Sequence, residues 1–522
     1  MPSDEPRPPE QVFDLLETSS GTPERPDPDP SVPRVQPVNR TQLQFRVVDV
    51  EVLIPEDHPA RAIWEFIGTL DLSPFTDQIR AVEGSAGRPA LDPQLLISLW
   101  IYSYSQGVSS ARAIERLCAS DPAYQWLTGL EGISAHTLSD FRVAHGDALR
   151  EIFIQVLGVL SAAGLITLER VMHDGTRIRA SAASKQFRRK ARIREALRQA
   201  RAHVEALEAM PEDEGSRRQQ EAQERARREK VERLETALQE FEKLEAAKST
   251  VERVSTTDPE ARVMKQADGG SAPSYNVQLS TDAAHMLIVG VDVTQAGSDY
   301  QQLLPGLNRV EQNVGHPPVQ LVVDGGYLSS DNIVEMAARG VELIGPAPTD
   351  DAAHASRTTS YQARGVSPAY AASQFVYDAA SDTYRCPQGK RLRYDAWYVR
   401  DGTRRVRYKA LAADCQACPA KRVCCPANRE GRSIERREYL APIQAFREKM
   451  LTDAARAIYR QRAQVAEFPN LWIKAKLGLR QFCVRGLRKV RLEALWAALT
   501  YNIQQWIRLC WRPKIAATRT SA

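Results

Sequence analysis

Strand-like segments in this 522-residue chain follow a set order, and a long charged insertion interrupts them. The apolar runs of strand length lie at 170–176, 275–280, 286–294, 319–324 and 342–345. A helical pattern near 299–312 precedes the fourth run, and the charged insertion at 185–248 follows the first. Without the insertion, the order is three strands, a helix, a strand and further α/β pattern. This order predicts an α/β fold with a mixed sheet.

The insertion at 185–248 is dense in Arg, Glu, Ala and Gln at helical spacing. Residues 210–215 (Met-Pro-Glu-Asp-Glu-Gly) interrupt this pattern with a turn signal. We therefore expect two helices that form an antiparallel coiled-coil hairpin projecting from the body of the protein.

Length and charge divide the chain further. A chain of this length exceeds what one hydrophobic core accommodates, so several domains are expected. Residues 1–40 are acidic and rich in Pro, which predicts a disordered arm. The net charge of +5 is small, but basic residues concentrate at about 185–205, at about 385–493 and in the tail at 511–522. Such clustering favours a polyanionic partner, although a charge run is often only a solvated surface.

Two classes of protein are disfavoured by the apolar pattern. Hydrophobic residues make up 43% of the chain, yet no apolar run approaches the roughly 20 residues that a membrane span needs. The first residues show no basic region followed by an apolar one, so no secretory signal is expected. We therefore expect a cytoplasmic, bacterial protein with no membrane partner.

Residues 41–165 carry a pattern of short helices joined by tight turns. Asp92-Pro93 and Ser134 are start signals for two of these helices. The arrangement is compatible with a helix-turn-helix, whose second helix enters the major groove of DNA. Any small helical domain has a similar pattern, so DNA binding and simple packing both remain open for this segment.

Four of the eight cysteines crowd into the segment Cys415-x2-Cys418-x5-Cys424-Cys425, and Cys386-Pro-Gln-Gly lies upstream across a strand-like stretch. Disulfides are not expected in a reducing compartment. A Cys-Pro-x-Gly turn answered by Cys-x2-Cys has the spacing of a zinc ribbon. We predict a structural Zn²⁺ in an inserted ribbon at 366–440, with Cys386, Cys415, Cys418 and Cys424 as ligands and Cys425 as the spare thiol. The alternative is a set of idle thiols.

Asp174 and Asp324 each end an apolar strand and precede a glycine. At the carboxyl ends of neighbouring strands, such side chains meet in the crevice where open sheets bind ligands. A downstream helix carries Glu467 among basic and aromatic residues, and three convergent carboxylates repel unless a metal holds them. Two Mg²⁺ (or Mn²⁺) ions bridged by a phosphate oxygen fit this set. A paired-carboxylate glycosidase is the alternative, but it explains neither the basic helix nor the cysteines.

Three motifs together resemble the DDE transposases of bacterial insertion sequences. They are Asp174-Gly-Thr-Arg-Ile-Arg, Val-Val-Asp324-Gly-Gly-Tyr, and the helix Y-x2-R-x4-E-x6-K from Tyr459 to Lys474. More narrowly, they resemble the eleven-eighty-two insertion-sequence group. Further matching segments lie at 54–61, 275–278, 292–294 and 485–490, so the likeness covers about residues 45–508.

The resemblance implies an RNase H-like catalytic core formed by 166–184, 249–365 and 441–510, after a helical DNA-binding domain at 41–165. It implies that Asp174, Asp324 and Glu467 hold the metal ions. The residues it assigns to DNA binding are Tyr459, Arg462, Lys474, Arg177, Lys265 and Tyr327. Two departures from the family pattern are small: Ala466 precedes the helix carboxylate where Val is usual, and Gly325 replaces Ala. Every charged group is kept, so an active enzyme is expected.

The activity implied is cleavage and transfer of DNA strands at the terminal inverted repeats of a mobile element. Water exposes a 3′-hydroxyl, which then attacks target DNA. Because two DNA ends must meet, a homodimer on DNA is expected, and the hairpin at 185–248 either mediates this pairing or runs along DNA. The alternatives are a non-catalytic DNA-binding protein derived from a transposase and a structural protein that uses the hairpin as a scaffold.

Overall fold

The structure is a computed structural model that describes residues 47–81, 89–208, 217–249, 251–346, 365–400 and 403–521. The arm predicted at 1–40 and the turn predicted at 210–215 lie outside the described residues. No helix in these ranges is both long and apolar enough to cross a membrane.

Seven helices form the amino-terminal part of the described chain. They are α1 (Pro59–Gly68), α2 (Ser73–Thr76), α3 (Pro93–Ser105), α4 (Ala111–Ser120), α5 (Pro122–Thr128), α6 (Ala135–Ala144) and α7 (Gly146–Ala162). The predicted start signals are confirmed, since the side chain of Asp92 accepts a hydrogen bond from Gln94 N and that of Ser134 accepts one from Thr137 N. Each side chain satisfies a backbone N–H that the first turn of a helix leaves free.

A two-helix insertion follows the first strand. The elements are β1 (Arg170–Arg179), β2 (Phe187–Arg188), α8 (Lys190–Glu208), α9 (Arg217–Ala246) and β3 (Val254–Ser255). The helices α8 and α9 run antiparallel, because Lys190 pairs with Glu245 and Arg201 pairs with Glu235. Ile193, Leu197, Leu234 and Phe241 form a small core of their own between the two helices. Pairing of β2 with β3 closes the base of the insertion.

The main sheet contains six strands. The elements that complete it are β4 (Arg262–Lys265), β5 (Ser271–Asp282), β6 (Ile288–Thr294), α10 (Leu303–Val314), β7 (Gln320–Val322), α11 (Ser330–Ala338) and β8 (Glu342–Ile344). The strand order is β4-β5-β1-β7-β8, and β6 pairs with the other end of β5. Strand β1 is antiparallel to β5 and parallel to β7, which is parallel to β8. The predicted mixed α/β sheet is confirmed.

The cysteine-rich segment forms a second, antiparallel sheet with the order β13-β12-β11-β10-β9. Its elements are β9 (Val376–Asp378), β10 (Thr383–Arg385), β11 (Arg391–Arg400), β12 (Thr403–Ala410), α12 (Ala412–Gln416), α13 (Lys421–Cys424) and β13 (Ser433–Glu438). Its core is separate from that of the main sheet and includes Leu392, Tyr408, Cys424 and Cys425.

The remaining helices return to the main sheet. They are α14 (Ala441–Met450), α15 (Asp453–Ala475), α16 (Leu487–Trp506), a π-helical turn (Ile507–Trp511) and α17 (Arg512–Ser521). Helix α16 is buried on nearly all sides, as expected for a helix inside a core. It packs against α3, α7 and β6, so one hydrophobic core joins the amino-terminal helices to the sheet.

A buried ion pair marks this junction. The Arg142 guanidinium lies 3.8 Å from the Glu493 carboxylate, and both side chains are almost fully buried. Glu493 also accepts hydrogen bonds from the backbone N–H groups of Cys483 and Val484, while Arg142 donates to the carbonyl of Ser109. Burial raises the pKa of Glu493, and the Arg142 charge opposes that rise. The pair thus connects α6, α16 and the loop before α16.

Replacing Arg142 with Met should lower the free energy of unfolding by about 3–5 kcal/mol, because the buried Glu493 would lose the positive charge that offsets its burial. Urea unfolding of the full chain measures this loss. The double variant Arg142→Met/Glu493→Gln should recover most of it, since no uncompensated charge remains. Equal stability of the Arg142→Met variant and the unchanged protein would contradict the role of this pair.

Candidate active site

Asp174 lies inside strand β1 and not at its end. This corrects the expectation that Asp174 ends its strand, since the strand continues to Arg179 with Gly175 opposite Gln278. The glycine is needed for close packing. A Cβ atom at position 175 would lie 2.5 Å from Gln278 Nε2 and 2.6 Å from Asp299 Oδ1. Glycine therefore follows Asp174 because Gln278 and Asp299 occupy the space that any larger side chain at position 175 would need.

Asp324 lies two residues beyond the end of β7 and caps the 3₁₀ turn Gly325–Tyr327. Its Oδ1 accepts a hydrogen bond from Gly326 N at 2.8 Å. In the parallel ladder Met172 pairs with Val322, so two residues further along both chains Asp174 and Asp324 come side by side. The sheet register therefore brings the two predicted carboxylates together.

Helix α15 supplies the polar groups that contact Asp174. Arg462 Nη1 lies 3.7 Å from Asp174 Oδ1, and Asn470 Nδ2 lies 3.4 Å from Asp174 Oδ2. Burial lowers the pKa of Lys474, and the negative charge of Asp174 opposes this shift. Residues 462, 470 and 474 share one face of a helix, because they are spaced by eight and four residues. Arg462 and Asn470 therefore lie close to Asp174, and Lys474 is on the same side of the helix.

Glu467 is exposed on the same helix, and among the described residues no hydrogen bond or ion pair joins it to Asp174 or Asp324. Within these ranges no group of three or more His, Cys, Asp or Glu side chains is placed to hold a metal ion. Two of the three predicted carboxylates are thus adjacent, and the third lies on the flank of the helix that contacts them.

The electrostatics of Asp174 favour a bound cation. Burial raises the pKa of Asp174 to about 6, with a further rise from Asp324 and an opposing effect of Arg462. The Oδ1 atom of Asn470 is buried and lacks a hydrogen-bond partner among the described residues. These groups offer only oxygen atoms, which hard divalent cations prefer. The adjacent Asp174 and Asp324 and the unpaired Asn470 oxygen therefore fit Mg²⁺ or Mn²⁺.

The other residues predicted to bind DNA have different environments. Tyr459 is partly buried, with its ring 6.0 Å from the Arg462 guanidinium, and Lys265 is exposed at the end of β4. Arg177 donates to the carbonyls of Lys265 and Gly297, each at 2.9 Å, so its guanidinium supports the backbone.

Tyr327 requires a correction. Its side chain is fully buried and its hydroxyl donates to Gln278 Oε1 at 2.6 Å, so DNA does not reach it in this fold.

Two polar residues at the site were absent from the sequence prediction. Asn470 lies four residues before Lys474 on the same helix, so helical spacing alone could have identified it. Asp299 accepts hydrogen bonds from Asn276 and Gln278 beneath Gly175. It stands in a loop, and nothing in its local sequence indicates this position.

The predicted zinc ligands lie around one cavity of the second sheet. The cysteines that line it are Cys386, Cys415, Cys418, Cys424 and Cys425. The backbone N–H groups of Lys390 and Arg432 donate to the sulfur atoms of Cys386 and Cys415. Burial raises the pKa of Cys424 to about 12, and Cys425, expected to be spare, interacts with both Cys415 and Cys424. The four predicted cysteines therefore share one cavity, which a fifth also lines.

Family models agree with the resemblance seen in the sequence. A model described as Transposase DDE domain matches residues 385–507, which include Glu467. A model described as Transposase domain (DUF772) matches residues 48–144, in the amino-terminal helices. The chain carries transposase domains. The predicted resemblance to DDE transposases is confirmed, while Asp174 and Asp324 lie between the two matched segments. No curated protein and no solved structure matches the chain.

Asp174→Asn should stabilise the transposase-like chain in metal-free buffer by about 1–3 kcal/mol at pH 7. The carboxyl keeps its proton up to about pH 6 in the folded state and only to about pH 4 when unfolded. The stability of the unchanged protein should therefore fall as pH rises from about 4 to 6.

Urea unfolding across this pH range measures the effect, and the Asn variant should lack this fall. Asp331→Asn, which removes an exposed carboxylate of α11, is the control and should retain it. The same pH dependence in the Asp174→Asn variant would show that Asp174 is not the titrating group.

Proposed function

We propose that this protein is an active DDE transposase of an insertion sequence, and that it cleaves and transfers DNA strands with two divalent ions. The observation that carries the proposal is the register of β1 and β7, which sets Asp174 beside Asp324 against the polar face of α15. The transposase family models at both ends of the chain support it. The narrower assignment to the eleven-eighty-two group rests on the sequence motifs.

An RNase H-like core is supported by the sheet. Strands β1, β5 and β6 form an antiparallel unit, β7 and β8 extend it in parallel, and helices connect the parallel strands. Helix α15 then packs against β1 and β5 from the far end of the chain. This connectivity brings residues from three distant segments to one place.

In the proposed reaction Asp174 and Asp324 would hold the metal ions, with Glu467 as the third carboxylate and Asn470 as a neutral oxygen donor. When bound, two divalent ions activate water or a 3′-hydroxyl and stabilise the leaving oxygen. Arg462 and Lys474 are placed to neutralise the phosphate at the cleaved bond, and Tyr459 borders Arg462. No protein nucleophile is required, because the 3′-hydroxyl attacks the target directly.

A basic surface next to this site supports double-stranded DNA as the partner. Exposed cations follow α15 at Arg480, Arg485, Arg488 and Lys489, and a backbone bridge between Arg179 and Gln481 joins this segment to the end of β1. Duplex DNA binds such surfaces by releasing counterions. We assign the terminal inverted repeats and the target DNA as ligands, with a homodimer on DNA to bring two ends together.

Cleavage of supercoiled DNA that carries the element ends, in Mg²⁺ or Mn²⁺, tests the function. Asp174→Ala, Asp324→Ala and Glu467→Ala should each lower the rate by about 10³-fold or more, because each removes a metal-binding carboxylate. Asp453→Ala, at the exposed start of α15, should cleave normally.

Unchanged cleavage in the Asp174→Ala or Glu467→Ala variant would refute the active site. DNA binding without cleavage by the unchanged protein would instead favour a non-catalytic, transposase-derived DNA-binding protein.

We further propose that the cysteine cavity holds one structural Zn²⁺. Burial raises the pKa values of Cys424 and Cys425, and a bound metal ion would stabilise the deprotonated form of such a thiol. The backbone N–H groups of Lys390 and Arg432 donate to the sulfur atoms of Cys386 and Cys415, and outer hydrogen bonds of this kind orient metal ligands.

Metal analysis of the purified chain should find about one zinc per chain. Cys415→Ala and Cys418→Ala should lose the metal, whereas Cys510→Ala, in the π-helical turn, should retain it. Comparison of Cys424→Ala with Cys425→Ala identifies which of these adjacent thiols is the ligand. A metal-free, fully folded preparation would refute the zinc site.

A further inference from the structure

Asp299 lies at the centre of a hydrogen-bonded network behind the two site carboxylates. Its Oδ1 accepts from Asn276 Nδ2 at 2.7 Å and from Gln278 Nε2 at 2.8 Å. Gln278 Oε1 in turn accepts from the Tyr327 hydroxyl at 2.6 Å. The chain of contacts runs from the loop after β6, through β5, to the turn that follows Asp324. It links two segments outside the strands, the loop that contains Asp299 and the turn that contains Tyr327.

Gly175 leaves room for Asp299, and the Asp299 side chain also lies beside Gly326. A Cβ atom at Gly175, the residue after Asp174, would lie 2.6 Å from Asp299 Oδ1. A Cβ atom at Gly326, in the turn after Asp324, would lie 3.9 Å from Asp299 Cβ. Successive side chains of a strand point to opposite faces, so Asp299 lies on the side of β1 opposite the Asp174 carboxylate. It therefore packs against the backbone that carries both site residues.

The network is buried and tightly packed where it meets the Asp324 turn. Tyr327 is fully buried, and its ring packs edge-on against His173 with 5.0 Å between ring centroids. Asn276 and Gln278 are almost fully buried as well. Among the described residues Asp299 has no ion-pair partner, so its hydrogen bonds are made to neutral groups. If one member of this network is removed, a buried amide or hydroxyl group is left without its hydrogen bond, which costs free energy and frees the remaining side chains to move.

We propose that Asp299 is a positioning residue which, through Gln278 and Tyr327, sets the separation of Asp174 and Asp324 and so the affinity of the site for divalent cations. The proposal rests on the proposed function of these two carboxylates. Asp299 acts from behind the sheet and is not itself a metal ligand. The network couples β5, which pairs with β1 at Gly175, to the turn that follows Asp324, beyond the end of the β1–β7 ladder.

Binding of Mn²⁺ to the full chain without DNA, followed by electron paramagnetic resonance, tests this role independently of cleavage. Asp299→Asn should weaken Mn²⁺ binding by about tenfold or more, and urea unfolding checks that the variant is still folded under the binding conditions. Tyr327→Phe keeps the ring and all charges but removes the hydroxyl, and it should weaken binding in the same direction. This second variant separates positioning from the loss of a negative charge and remains informative if Asp299→Asn folds poorly.

Asp292→Asn is the matched control. Asp292 faces Gln278 across the β5–β6 ladder but is held by Arg309 and Arg491, so its removal should leave Mn²⁺ affinity unchanged. Wild-type affinity in both the Asp299→Asn and Tyr327→Phe variants would overturn the positioning role. Retention of Mn²⁺ binding by Asp174→Ala would overturn instead the assignment of the metal site. The two failures are therefore distinguishable.

Discussion

The parallel pairing of β1 with β7 is the constraint on which the site depends. These strands belong to segments separated by the two-helix insertion and by α10, and three pairs of residues set their register. A shift of one residue would move the Asp174 side chain to the opposite face relative to Asp324. The buried apolar residues Val171, Met172, Leu321 and Val322 oppose such a shift, because they fill both faces of the sheet and would have to repack against new neighbours. The hydrophobic core therefore determines which carboxylates meet.

Helix α15 packs against β1 and β5 and contacts Asp174, so its position also depends on this register. It buries Val465, Ala466, Pro469 and Ile473 against the core, and the polar residues beside them reach Asp174. Arg462 partly offsets the charge that burial and Asp324 make unfavourable at Asp174. Under the proposed function, a divalent cation would take over this neutralisation, and Arg462 would become free to contact phosphate. The Arg462 guanidinium would then offset the Asp174 charge in the metal-free site and contact phosphate in the metal-bound site.

Periodicity in the sequence was sufficient to predict five of the six strands of the main sheet, all but β4, and the helix that precedes β7. It was insufficient wherever the environment of a residue is set by contacts with residues far away in the sequence. Asp174-Gly175 has the pattern of a turn, but the glycine is required by Asp299 and Gln278, which come more than a hundred residues later. Tyr327 follows a turn signal that favours exposure, yet a hydrogen bond to Gln278 keeps it buried. No local pattern contains this information.

Helix α16 joins the amino-terminal helices and the main sheet in one packed core, although the sequence predicted separate domains for them. Its Asn502 side chain bonds both backbone groups of Ile288 at the start of β6, and Trp496 donates to the carbonyl of Arg142 in α6. The amino-terminal helices are thus tied to the sheet by hydrogen bonds, the buried Arg142–Glu493 pair and a shared core. If these helices bind the element ends, as the resemblance to DDE transposases implies, the bound duplex is held at a set position relative to Asp174. Rigid packing then aligns the scissile phosphate, since misplacement by about 1 Å costs on the order of 10²-fold in rate.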